Sequence, residues 1–291
     1  MRVDPNYLQG LSASISQSTG VTATLTNELS SGLRVQNVSD DPTAAAAALR
    51  LSSQVSRDST FVQSASRQTG VLQVTDSALA EVVTQMTSAI SLATQAMNGT
   101  LSASQHSSLA QQLKGIQDEM LTLANTNYQG QYLFAGSKGS TVPFTLDVTG
   151  AATYAGDAVQ QSVKTPGGQS LVTNLPGSSV FASVFSALGA VIAGLQTNPV
   201  SITASDSGAL GTALSTVSTQ RSVVGNTLNR LTASSSYAQT DIANMQAQQS
   251  ALVSADTVKV ATDLKNSETL HTAMLSLMAA LSKGSLFDYL K

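Results

Sequence analysis

The sequence predicts a mainly α protein, in which long helices from both chain ends form a bundle or coiled coil and a small β-rich insert lies between them. Near the N-terminus Leu8, Leu11, Ile15, Ser18, Thr22, Leu25 and Leu29 step alternately by three and four. Near the C-terminus Leu270, Met274, Leu277 and Leu281 do the same. A 3-4 spacing lays side chains on one narrow stripe of a helix, the stripe that a second helix covers. Between these ends, over residues 131–180, the period changes to two and turn residues gather. The first and last helices are therefore expected side by side, on the same pole of the molecule.

Taken in order, residues 6–33 read as one helix whose stripe is softened by Ser18 and Thr22. A helix of this kind is marginal alone and orders when partners arrive. Gly32 relieves its end. Asp41-Pro42 then reads as a helix start, with Asp as N-cap and Pro at the first helical position. The Ala-rich run that follows has high helix propensity. Its seam continues through Thr75, Leu79, Val82, Met86, Ile90, Ala93 and Met97 until Asn98-Gly99 breaks it. Ser102 or Ser104 can cap the next helix, whose seam is Leu109, Leu113, Ile116, Met120 and Leu123. Phe144, Leu146 and Val148 alternate as in a half-buried strand. Gly150, Gly156-Asp157, Pro166-Gly167-Gly168 and Pro176-Gly177 punctuate a small antiparallel insert of about four to six strands. A short helix carries Phe181, Phe185, Leu188, Ile192 and Leu195, and a last long stretch begins near Asp206 or Ser207, where Leu210, Leu214, Val217, Arg221, Val224, Leu228 and Leu231 follow the 3-4 rhythm with one polar step. The expected organisation is a terminal coiled-coil domain from 1–42 and 251–291, a helical body from 43–130 and 181–250, and the insert at 131–180.

Hydrophobic residues make up 42% of the chain and charged residues only 11%, with a net charge of −3. So few scattered cations do not make a nucleic-acid surface, and a mildly acidic chain has little attraction to an anionic membrane. There is no Cys. That removes disulfides, thiolate catalysis and Cys-bound zinc, and suits export into an oxidising medium. No stretch approaches the roughly 20 apolar residues of a membrane span. The opening residues lack a basic region followed by an apolar one, so no cleaved signal peptide is expected.

Chemistry-bearing patterns are sparse. His106 and His271 are the only histidines, and a catalytic or metal role would need additional convergent ligands around them. Both read as surface or seam residues. Asp40 and Asp41 read as a capping turn, since a metal would need further oxygen ligands. Arg34 can pair with that turn. Gly136-Ser137-Lys138-Gly139-Ser140 has the wrong residue order for a phosphate loop. Asn37-Val38-Ser39 and Asn98-Gly99-Thr100 match the glycosylation pattern, which is common by chance in a Ser/Thr-rich chain. Methionines at seam positions read as core filling. No enzyme activity, cofactor or metal is expected.

LSSGLRVQNVSDDPTAAAAALRLSSQV, residues 29–55, together with the long helix over 78–102 and the run over 251–291 closing on SLFDYL, resembles the bacterial flagellin superfamily. QYLFAGSK at 131–138 and PFTLDVTGAATYAGD at 143–157 are similar to its hook–filament junction branch. Leu33 stands where that branch commonly has Lys, and the insert is short. The resemblance implies a non-enzymatic, extracellular subunit of the bacterial flagellum, exported unfolded by the type III apparatus. It would form a homo-oligomeric layer between hook-associated protein 1 and the flagellin filament, and a dedicated chaperone would hold its C-terminal helix before export. The implied assembly interface is the terminal stripes: Leu8, Leu11, Ile15, Leu25 and Leu29 with Leu270, Met274, Leu277, Leu281, Leu286 and Leu290. Arg34, Asp40, Asp41 and Pro42 form the implied helix-start turn. Flagellin itself is the nearest rival reading, and a secreted adhesin displaying the insert is a more distant one.

Overall fold

The computed structural model describes residues 5–197 and 200–287, with side chains over 9–197 and 200–280. Among them the elements run α1 (Pro5–Ser31), α2 (Pro42–Ala96), α3 (Ala103–Ala124), then strands β1 (Asn127–Tyr128), β2 (Gln131–Tyr132), β3 (Phe144–Leu146), β4 (Ala152–Tyr154), β5 (Ser162–Lys164) and β6 (Ser170–Val172), and finally α4 (Phe181–Gln196), α5 (Ala204–Val253) and α6 (Thr257–Phe287). The chain divides into two compact units, residues 1–56 with 241–291, and residues 57–240. Their borders fall inside α2 and α5 rather than in turns.

The core of the 57–240 unit is built from the seams that the sequence marks. Leu79, Val82, Met86 and Ala93 on α2 are buried with Leu109, Leu113 and Met120 on α3 and with Leu210, Val217 and Leu231 on α5. Thr75 is buried in the same row and returns its hydroxyl to the Val71 carbonyl at 2.9 Å, so its polar atom costs little there. Arg221, the polar step in the α5 stripe, reaches across to Asp76 on α2 at 2.9 Å. Both side chains are more than a third exposed, and such a pair contributes about 0–1 kcal/mol.

Ser102 caps α3 with a full capping box, its side chain accepting from the Gln105 amide while Gln105 reaches back to the Ser102 amide. His106 is not a surface residue but buried in this turn. Its Nε2 lies 3.2 Å from the Ala96 carbonyl and its Nδ1 3.1 Å from that of Ser102, so the ring joins the end of α2 to the start of α3. Met97, expected at the end of the α2 seam, is exposed because the helix ends at Ala96. On α3 the buried position is Gln117 rather than Ile116, since Gln117 donates to the Gly150 carbonyl of the insert at 2.9 Å.

The insert is a row of antiparallel two-stranded ladders, β1–β2, β3–β4 and β5–β6. Phe144 is buried and Leu146 half-buried, as alternation predicts, but Val148 is fully exposed. The strand stops one step earlier because Asp147 turns the chain, its Oδ1 accepting from the amides of Thr149 and Ala151. An aromatic cluster fastens the insert to α4. Phe144 packs on Phe181, Phe185 and Tyr154 with centroid separations of 5.6, 5.4 and 4.9 Å, and Phe134 meets Phe181 edge-on at 4.9 Å. Gly136 has φ +72°, and a Cβ there would collide with Asp157, whose carboxylate holds the Ser137 amide and hydroxyl.

Phe181 is fully buried at the centre of this cluster. Phe181→Ala is expected to destabilise the 57–240 unit by about 3–5 kcal/mol. Urea unfolding followed by tyrosine fluorescence measures this, and a loss below about 1 kcal/mol would show that the cluster does not anchor the insert.

Candidate assembly interface

α1 and α6 lie side by side in the terminal unit, α1 running toward the loop that begins α6 and α6 running away from it. The half-buried positions of α1 are Leu11, Ile15, Ser18, Thr22, Leu25 and Glu28. This is the predicted stripe up to Leu25, after which Glu28 replaces the exposed Leu29. The covered positions of α6 are Val260, Leu264, Ser267, His271, Met274 and Met278. Only Met274 of the expected C-terminal stripe is among them. Leu270 and Leu277 are 57% and 52% exposed. The difference has a simple origin. α6 carries apolar residues on more than one face, so periodicity alone does not choose which face meets α1.

What chooses the face is a polar pair and a loop. The hydroxyls of Thr22 and Ser267 hydrogen-bond at 2.9 Å across the two helices. His271 is half-buried on the same α6 face, and its Nδ1 is a buried atom with no hydrogen-bond partner. Two grooves flank the seam. One is lined by Val21, Leu25, Leu270 and Met274 with small polar residues around them. The other is lined by Thr19, Thr22, Ala23, Thr26, Asn27, Glu268 and His271. A two-helix ribbon with a half-polar seam and an open apolar groove leaves much of its apolar area in water. The side chains of Leu8, Leu281 and Leu286, and the whole of Leu290, lie outside the described residues.

The loop is the predicted helix-start turn, and it does more than start a helix. Gly32, with φ +70°, ends α1 by returning its amide to Glu28. Leu33 then forms an antiparallel bridge with Ser254, in the connection between α5 and α6. Arg34 N–H donates to the Val253 carbonyl at 2.8 Å, and Ala255 N–H to that of Gly32 at 2.9 Å. The Arg34 guanidinium completes the tie, contacting Asp41 Oδ2 at 3.2 Å and the Leu252 carbonyl at 3.0 Å. Asp41 caps α2 through the Ala44 amide at 3.0 Å, with Pro42 as the first helical residue. Asp40 receives the amides of Gln36 and Asn37 at 3.0 and 2.7 Å. Val35, Ala44 and Ala45 are buried beneath, against Val253. The sequence pairs Arg34 with the Asp40-Asp41 turn, and the structure selects Asp41; residues 252–255 were not legible, because they carry no distinctive side chains and act through their backbone.

Both aspartates titrate below the ordinary carboxylate range. The amides of Asn37 and Gln36 hold Asp40 down. The Ala44 amide, then Arg34, holds Asp41 down. A carboxyl depressed by folding contributes stability above its unfolded value and loses it as pH falls through the folded one. The turn is therefore expected to hold from neutral pH through the ordinary carboxylate range and to open in stronger acid. An acid titration of the Gln36, Asn37 and Ala44 amide resonances follows this. Resonances already moving at neutral pH would contradict it.

Comparison with known proteins places this geometry in a family. Residues 8–139 match the bacterial flagellin N-terminal helical region, and residues 208–290 match the bacterial flagellin C-terminal helical region. A flagellar hook-associated protein 3 of Escherichia coli is 34% identical over 160 residues, covering 55% of this chain and 50% of that protein. Flagellin 1 of Proteus mirabilis is 29% identical over 142 residues, covering 48% and 39%. The chain thus spans half or less of the length of these relatives. The fold is shared with the flagellar junction protein FlgL of Legionella pneumophila, at a TM-score of 0.58 and 16% identity over 72% of this chain and 100% of that one. The matched regions take in α1 to α3 on one side and α5 with α6 on the other, and the chain belongs to the bacterial flagellin family.

Proposed function

We propose that this chain is a non-enzymatic structural subunit of the bacterial flagellum that forms the layer between hook and filament. The observation that carries the reading is the α1–α6 ribbon. Its seam is half polar, and Val21, Leu270 and Leu277 beside it remain exposed. Neighbouring copies that covered those residues would bury apolar area worth about 25 cal/mol per Å², an area the isolated ribbon leaves in water. The exposed apolar residues and the covered stripe together form the inter-subunit core, with Leu8, Leu281, Leu286 and Leu290 extending it toward the chain ends.

Hook-associated protein 1 on the hook side and flagellin on the filament side are the neighbours this role requires, and an export chaperone covers the C-terminal segment before secretion. Low charge, the lack of Cys and a weakly sealed terminal ribbon suit a chain that crosses a channel unfolded and orders on docking. The higher identity to a hook-associated protein 3 than to a flagellin favours junction over filament.

Deleting residues 280–291 is expected to abolish incorporation into the flagellum while leaving the 57–240 unit folded. Electron microscopy of mutant cells and urea unfolding of the purified variant read the two arms. Normal junctions from the truncated chain would refute the terminal interface. Quantitative mass spectrometry of sheared flagella distinguishes the two family roles, because a filament subunit vastly outnumbers a junction subunit. The purified protein is likewise expected not to grow long filaments alone.

A further inference from the structure

The turn between α2 and α3 holds a reactive pair that lies outside the terminal stripes. Asn98 and Gly99 are exposed, just beyond the C-terminal end of α2. Asn98 is the only asparagine in the chain followed by glycine. Its Oδ1 accepts two hydrogen bonds from Thr100, at 3.2 Å from the amide and 2.9 Å from the hydroxyl. Among the described residues, no hydrogen bond engages the Asn98 side-chain Nδ2 or the Gly99 N–H, while the Asn98 backbone N–H donates to the Gln95 carbonyl at 3.1 Å. Nothing lies within 4 Å of where a Cβ on Gly99 would stand.

We propose that Asn98-Gly99 is a self-modification site, at which the asparagine converts to aspartate and isoaspartate through a cyclic imide. The Gly99 nitrogen attacks Asn98 Cγ. The N–Cγ bond forms, the Cγ–Nδ2 bond breaks, the Gly99 proton passes to solvent base, and Nδ2 leaves as ammonia after taking a proton from solvent. Water then adds to either imide carbonyl and reopens the ring. No oxidant or reductant is involved. The two Thr100 donors sit on the oxygen that gains negative charge during the attack, the arrangement that stabilises an oxyanion. Glycine presents no side chain to obstruct the approach of its nitrogen.

Two other loop asparagines, Asn125 and Asn174, are held differently. Asn125 donates its Nδ2 to the Phe144 carbonyl and accepts the Phe144 amide on Oδ1, both at 2.9 Å. Asn174 is pinned in the same two-ended way, donating to the Val159 carbonyl at 2.9 Å and accepting from the Gln161 amide at 2.7 Å. Their leaving groups are tied down, whereas that of Asn98 is free and its carbonyl is activated.

The product matters to the turn. A new carboxylate at the end of α2 faces the negative pole of the helix. Isoaspartate also adds a methylene to the main chain beside the His106 links to Ala96 and Ser102. Conversion is therefore a slow, irreversible loosening of the α2–α3 turn, set by time after synthesis.

The full chain, incubated at mildly alkaline pH, is to be mapped by peptide mass spectrometry with enzymatic isoaspartate labelling. Conversion is expected to concentrate at position 98 and to fall sharply in Gly99→Ala. Thr100→Val removes the hydroxyl donor and is expected to slow the folded protein by about two- to tenfold, with no change in urea. Thr100→Ser restores the rate. Conversion at position 98 no faster than at Asn125 and Asn174 would overturn the site. An unchanged folded rate in Thr100→Val would overturn the role of Thr100.

Discussion

The main-chain bridge between Leu33 and Ser254 is the constraint on which the terminal unit depends. It joins the loop after α1 to the loop before α6, so the two helices leave one point with their relative height already set. Backbone pairing of this kind is independent of side-chain identity and tolerates the bland residues on either side. Arg34 adds a guanidinium contact that spans both loops, and the buried trio of Val35, Ala44 and Ala45 seats the turn on Val253. With the height set here, Thr22 arrives opposite Ser267.

That meeting explains how the ribbon can be defined without being strong. A seam of Leu on both helices would be stable in many registers and would retain its partner tightly. Ser18, Thr22, Ser267 and His271 instead place hydroxyls and an imidazole along the contact. A hydroxyl pair contributes little net free energy, yet it penalises any register that buries either group alone. Specificity is thereby separated from affinity, which suits a surface that is to be completed by other copies.

The 57–240 unit follows a different logic. Its stripes are deeply covered, the Arg221–Asp76 ion pair between α5 and α2 lies near the surface, and its insert is attached through aromatic rings rather than a continuous sheet. Two- and three-residue strands have too few ladder bonds to stand alone, so Phe134, Phe144, Phe181 and Phe185 supply the cohesion that the hairpins lack.

Much of this was legible in the chain itself. The 3-4 spacing located α1, α2 and α3, Asp41-Pro42 and Ser102 marked helix starts, and Asn98-Gly99 marked a break, because local propensity and capping act over a few residues. The α1 stripe from Leu11 to Leu25 and the pairing of Arg34 with the Asp40-Asp41 turn were equally readable. Other features depended on tertiary contacts. Leu270 and Leu277 belong to a good helical stripe, yet α6 turns Ser267 and His271 toward α1, the face that the Leu33–Ser254 bridge brings opposite Thr22. Likewise Gln117 is buried in place of Ile116, and His106 closes a turn, because each finds a backbone carbonyl that only the folded chain brings near. Periodicity determines that a helix has an apolar face; which face is covered is decided by the partners that long-range backbone pairing delivers to it.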